Sequence, residues 1–269
     1  SWCRRSQTLV RTGARLEACV RPACGVPNRR LERPALWPAD QPRTYIATAM
    51  NTPLLAGQRF SPTERRVAAA LETQTVEHRH LHDSRLAWAD LVVLADAPLD
   101  ARRAQMLRQY VEQGGGMLVM PGEHVDVQTY NTHLFAGEGQ SPRLRLGEPI
   151  GDVDDESRFA SVTSLRLAHP VLAGFAEDHE SKRYFSTVRV YRRFPLRIPR
   201  DTRPTEGERA PVVELLGLAD RSPLLVDLPV GRGRMLVSAV PATPDWSNLP
   251  INREFVPMVV RAMPYLQRL

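Results

Sequence analysis

The chain has no run of about 18 apolar residues, the length a membrane-crossing helix requires. No apolar segment follows the basic N-terminus in the manner of a signal peptide. With 42% hydrophobic and 25% charged residues, the 269 residues read as a soluble globular protein, and any membrane connection has to come from segments outside them. Cysteine is nearly lacking: Cys3, Cys19 and Cys24 lie close to the N-terminus and none follows. One Cys-x4-Cys spacing, without later cysteines or paired histidines, argues against a zinc site or a disulfide framework. Lysine is reduced to Lys182, so arginine carries almost all positive charge, a bias that fits a GC-rich gene. No Gly-x-Ser-x-Gly elbow occurs, which removes the serine-hydrolase arrangement.

The net charge of +6 suggests nucleic acid until it is located. Residues 1–45 hold nine arginines against Glu17, Glu32 and Asp40, while the remainder carries 27 basic and 27 acidic residues. The body thus has no net field to attract phosphate. A local basic run at Lys182, Arg183, Arg189, Arg192, Arg193 and Arg197 reads as solvated edge charge.

Residues 1–44 show no sustained period of 3.6 or 2 and are broken by Pro22, Pro27, Pro34, Pro38 and Pro42. They read as a poorly structured leader or linker. Two origins fit such a segment: a connection from a preceding domain, or non-native translation upstream of, or out of frame with, the gene. Residues 45–269 read as one α/β domain. It opens with an apolar stretch at Tyr45–Met50 and a helix capped at Ser61-Pro62-Thr63-Glu64. A strand then covers Thr75–Leu81. His78, His80 and His82 alternate on it, a spacing that could hold a metal but reads better as a solvent-facing strand edge.

The plainest architecture follows. Ala89–Asp96 is a buried strand ending on a carboxylate. A helix runs from Asp100, its cap, to about Gln113, and Met117–Met120 is the next strand, closed by Pro121-Gly122. This is a right-handed βαβ unit with parallel strands, and sites in such sheets form beyond the carboxyl ends of the strands. Gly114-Gly115-Gly116 lies between helix and strand. A dinucleotide loop has its glycines between strand and helix, so these read as a helix stop. The pattern loosens over 125–185, and Asp152, Asp154, Asp155 and Glu156 lack the central glycine and distal glutamate of a calcium loop. Strands return at Pro211–Leu216, Pro223–Leu228 and Arg234–Val240, the last two as a hairpin. The turn Asp245–Pro250 and a helix over Arg253–Leu266 close the domain.

The run LVVLADAPLDARRAQMLRQYVEQGGGMLVMPGEHV resembles the strand–helix–strand of class I glutamine amidotransferase-like domains. The later SPLLVDLPVGRGRMLVSAVPATPDWSNLPINREFVPMVVRAM is similar to the C-terminal region of bacterial membrane proteins that begin with a BatA-type (aerotolerance regulator) domain, often with a von Willebrand factor A domain between. The match covers roughly residues 88–269. ThuA-like domains share part of the pattern. The resemblance implies a flavodoxin-like α/β fold, a mostly parallel sheet flanked by helices, with a C-terminal hairpin and closing helix. The first strand usual in the family is missing from residues 28–44.

That family places a cysteine nucleophile on the elbow after the strand matched by Met117–Met120. Here Pro121-Gly122-Glu123-His124 follows, without a thiol. The expectation is therefore a non-catalytic scaffold or binding domain of a larger membrane-anchored envelope protein, without cofactor or metal. Its partners would be other domains of the same protein or envelope proteins, and the extracytoplasmic side is favoured. The alternative is a ThuA-like enzyme acting on a small molecule or sugar with Asp96, Glu123, His124 and Asp245. In either case the candidate rim is Asp96, Glu123, His124, Asp245 and Trp246.

Overall fold

The computed structural model describes residues 6–12, 71–77, 80–87, 89–136, 141–199 and 211–267. The predicted stretch at 45–50, the helix from Ser61, and His78 lie outside these residues. Strands β1 (Ser6–Thr12) and β2 (Leu71–Glu77) are followed by a short helix α1 (Asp83–Leu86) and strand β3 (Leu91–Ala95). Helix α2 (Ala101–Glu112) leads to β4 (Gly116–Met120). A single turn α3 (Val127–Thr129) runs into a π-helical turn over Tyr130–Leu134.

Short strands β5 (Arg145–Leu146) and β6 (Ile150–Gly151) precede β7 (Ala160–Leu165), α4 (Pro170–Ala173) and α5 (His179–Ser186). Three more short strands follow: β8 (Arg189–Val190), β9 (Arg192–Arg193) and β10 (Leu196–Arg197). The chain finishes with β11 (Val213–Leu218), β12 (Pro223–Val230), β13 (Gly233–Ser238) and α6 (Phe255–Leu266).

Among the described residues the main sheet runs β2-β1-β3-β4-β13-β12-β11-β7-β8. Its centre is parallel, β3 beside β4 and β4 beside β13, and the pairings outward on both sides are antiparallel. The fold is α/β, with helices flanking the sheet, a C-terminal hairpin β12–β13 and a closing helix. Asp100 caps α2 by accepting from Arg103 N at 2.8 Å, as the sequence reading has it.

Leu118, Met120, Leu225 and Leu236 face α6, and Met117, Val119, Met235 and Val237 alternate to the other face. On α6, Phe255, Met258, Val259, Ala262, Met263 and Leu266 are buried, and each of the large apolar side chains among them is worth about 1.5–3 kcal/mol withdrawn from water. Pro257 sits in its first turn, where a backbone N–H would have no partner within the helix.

Three expectations need correction. Ser6–Thr12 forms a strand between β2 and β3, inside the segment read as having no regular element. Strand β2 ends at Glu77, so His80 and His82 fall beyond it and share no strand face. Residues 125–185, read as loosely patterned, hold β7, α4 and α5. Their burial is uneven because β7 faces water over much of its length.

Candidate functional site

β3 and β4 run parallel and in register, with Ala95 opposite Met120, so their carboxyl ends bring Asp96 and the Pro121–His124 turn together. The Asp96 N–H donates to Met120 O at 2.9 Å, extending the ladder one residue past the strand. Asp96 then turns into the left-handed region at φ 48°, a conformation that aspartate tolerates better than most residues. The turn swings its carboxylate across the crest. Oδ1 accepts from His124 N at 2.8 Å, and Oδ2 lies 2.5 Å from His124 Nδ1. Gly122 makes room, since a Cβ there would come within 2.7 Å of the Asp96 Cγ.

A carboxylate only accepts, so the proton shared with Asp96 belongs to Nδ1, and Nε2 is the ring nitrogen left for another partner. The Asp96 side chain is 11% exposed and that of His124 36%, which puts the imidazole edge at the surface. The pair is thus a largely shielded orienting carboxylate beside a half-exposed imidazole.

Beneath it, Tyr130 is fully buried and donates to Ala97 O at 2.7 Å. Burial, and then the Asp96 charge, push its phenol well above the ordinary range, so it remains a neutral donor. Tyr130 opens the π-helical turn, where Phe135 N reaches back to Tyr130 O at 2.9 Å. Asp126 caps the preceding turn through Thr129 N at 2.8 Å, and its bonds to Thr129 hold its carboxyl below the usual range.

Glu123 diverges from His124 and approaches Arg192 at 3.6 Å. The Arg192 guanidinium lies 4.6 Å from the centroid of the Trp246 ring, which is buried against Phe194 at 5.2 Å. The turn containing Trp246 is also a clamp. Trp246 O accepts from Tyr191 N at 2.9 Å and Arg192 N at 3.2 Å, and Asn248 Oδ1 accepts from Arg189 N at 2.7 Å. Asp-Trp-Ser-Asn therefore pins the 189–192 segment, and with it Arg192, beside Glu123. Of the five rim residues, Asp96 and His124 are bonded to each other, and Glu123 and Trp246 are linked through Arg192. Asp245 stays exposed in the turn before Trp246.

The expected basic run is partly neutralised. Arg192 meets Glu123, Arg193 forms an ion pair with Asp220, and Arg189 lies over Phe159 at 4.8 Å. Among the described residues no group of three or more His, Cys, Asp or Glu is arranged to hold a metal.

Sequence reasoning missed one cluster altogether. Asp227, 3% exposed on β12, accepts from Tyr265 OH at 2.5 Å and from Arg234 Nη1 at 3.1 Å. His169 Nε2 lies 2.9 Å from Tyr265 OH and 3.4 Å from Asp227 Oδ2. His169 Nδ1 accepts from Val171 N at 3.4 Å, capping α4, so Nε2 carries the proton and donates toward Tyr265. The relay runs from the cap of α4 through the last turn of α6 to the sheet. Its one sequence signal is a lone carboxylate inside the buried strand Pro223–Val230.

No family model and no curated protein sequence matches the chain. Among solved structures it is similar to a cytoplasmic protein of Salmonella typhimurium, STM3548, at 13% identity and TM-score 0.52, over 84% of this chain and 87% of that one. A second cytoplasmic protein, STM1381 of Salmonella typhimurium LT2, aligns at 14% identity and TM-score 0.49, over 69% of this chain and 75% of its own. The first likeness bears on the fold alone. No helix among the described residues is long and apolar enough to cross a membrane.

Proposed function

We propose that this chain is a non-catalytic scaffold or binding domain of a larger membrane-anchored bacterial envelope protein, presenting its rim at the carboxyl ends of β3 and β4. One observation carries the reading. Where the amidotransferase-like pattern would set a thiol, the turn after β4 holds Pro121-Gly122, and the side chains beyond it are engaged with one another: His124 with Asp96, Glu123 with Arg192. No cysteine follows Cys24 anywhere in the sequence. A rim of this kind offers an imidazole nitrogen, a carboxylate and a guanidinium over an indole, a set suited to recognising a polar partner surface. Partners in this reading are other domains of the same protein or envelope proteins, reached on the extracytoplasmic side, with membrane attachment supplied by segments outside the chain. The test is expression of the full-length gene with a C-terminal tag, followed by fractionation. The expected result is tagged product in the membrane pellet, released only by detergent. Intact product in the soluble fraction overturns the membrane part of the proposal.

A second reading rests on His124 itself. A half-exposed imidazole bonded through Nδ1 to a carboxylate has the arrangement of a general base with its orienting partner. A ThuA-like enzyme acting on a small molecule or sugar would use it with water or a substrate hydroxyl as the nucleophile. Any such turnover must disappear in His124→Gln.

A further inference from the structure

In the basic run, Arg189, Arg192 and Arg193 each meet an aromatic ring or a carboxylate, but Arg197 faces another arginine. Strands β5 and β10 form an antiparallel ribbon separate from the main sheet, with Leu146 opposite Leu196 and Arg145 opposite Arg197. The two leucines are buried, and side chains alternate along a strand, so both arginines project from the other, exposed side. Residues directly opposite in such a pair have their Cβ atoms about 5 Å apart. The register is held from both strands. Asn131 donates to Leu146 O and accepts from Leu146 N, each at 2.8 Å, and Gly147 N donates to Pro195 O at 2.8 Å. Gly147 and Pro195 are the next pair on the arginine side and carry no charge. Among the described residues neither Arg145 nor Arg197 meets a carboxylate.

Like charges directly opposite each other weaken a strand pair, so this arrangement works against the ribbon that carries it. It sets two guanidinium groups side by side on one exposed face, and their planar N–H forks match the paired oxygens of a carboxylate. Nucleic acid and anionic membranes are held by many basic groups acting together. Here the chain after residue 45 balances 27 basic against 27 acidic residues, and a single pair of arginines suits a local contact instead. We propose that the outer face of the β5–β10 ribbon is a docking point for an acidic segment of a partner protein, with an aspartate or glutamate carboxylate bridging Arg145 and Arg197. The partner supplies the negative charge that the ribbon lacks, in an exposed and salt-sensitive contact. The site shares no residue with the strand-end rim and stands whether or not the domain belongs to a membrane protein.

A hexaglutamate peptide titrated into the labelled protein at about 20 mM salt tests it by NMR. The readout is the amide signals of residues 145–147 and 195–198, because the nine arginines of residues 1–45 also attract a polyanion. These signals should shift saturably with hexaglutamate and not with hexaglutamine, and the shift should fade at about 0.5 M salt. Replacing Arg145→Gln and Arg197→Gln together should weaken binding at this site by about tenfold or more. Arg158→Gln with Arg183→Gln removes the same charge elsewhere and should change it by less than about twofold. A second measurement separates binding from folding. Without peptide, Arg197→Gln should leave the thermal midpoint unchanged or raise it, since it removes a repulsion. No saturable shift, an equal loss in the control pair, or a lowered midpoint would overturn the proposal. So would inorganic phosphate or single-stranded DNA binding these two arginines as tightly as hexaglutamate does.

Discussion

Arg234, Tyr265 and His169 all converge on one carboxylate oxygen of Asp227. Without it the Tyr265 hydroxyl loses its acceptor, while His169 keeps its bond to Tyr265 and Arg234, 30% exposed, still reaches water. Asp227→Ala is therefore expected to destabilise by about 1–3 kcal/mol, the cost of leaving a hydrogen-bonding group unsatisfied. Asp227→Asn, which keeps an acceptor for the Tyr265 hydroxyl, should cost clearly less. Chemical denaturation of both variants beside the parent measures this, and equal losses would mean that a neutral acceptor of the same shape recovers nothing and the carboxylate charge carries the relay. Residue-scale detail of this kind was largely hidden in the sequence. Asp227 stands in a buried strand, but its partners lie 7, 38 and 58 positions away, and no local pattern points to them. Asp96 and His124 were legible as a neighbourhood, because parallel strand ends gather side chains. Their bond was not, since it depends on the left-handed turn at Asp96 and on the missing Cβ of Gly122.

Elements were easiest to read where local signals agreed. The unit β3–α2–β4 is announced by two short apolar runs, an aspartate cap and a glycine stop, all within about 30 residues, and the structure follows it closely. The small strands β5, β6, β8, β9 and β10 carry two residues each, too short for any period to show. The triple glycine falls between these cases. Gly114, at φ 105°, ends the helix in the left-handed conformation expected of it. The other two answer to packing. A Cβ on Gly116 would come 2.2 Å from Leu266 O, a backbone atom of α6, whereas on Gly115 it would meet the side chain of Tyr110. Backbone cannot retreat as a side chain can, so Gly116→Ala should push β4 and α6 apart and cost about 1–3 kcal/mol, typical of overpacking. Gly115→Ala should cost less. A loss of about 2–4 °C in thermal midpoint per kcal/mol is the scale to look for in a domain of this size. A midpoint unchanged in Gly116→Ala would show that α6 packs less tightly on β4 than its contact with Leu266 implies.

For the whole molecule, the pattern of charge and the distribution of cysteine bear on chemistry more than the fold does. An α/β sheet with a parallel centre hosts many activities, so what it does must be argued from the groups at its strand ends. A glutaminase needs an activated thiolate beside oxyanion donors. The chain's thiols are Cys3, Cys19 and Cys24, and the turn after β4, where the amidotransferase pattern would set one, has none. What the rim offers is an oriented imidazole, able to take a proton from water but not to form a thioester with glutamine. The purified protein should therefore release no ammonia from glutamine above the buffer rate and should take up no thiol-reactive glutamine analogue at the rim. Substituting the three cysteines together separates the possibilities. Ammonia release that survives this triple substitution, yet is lost in His124→Gln and Asp96→Asn, would mean that the dyad drives hydrolysis through water, and the domain would have to be counted an enzyme. Release that disappears with the cysteines would place the nucleophile in the N-terminal segment, against everything the strand ends suggest. Silence in all variants, with the fold intact by circular dichroism, is the outcome that a domain built for recognition requires.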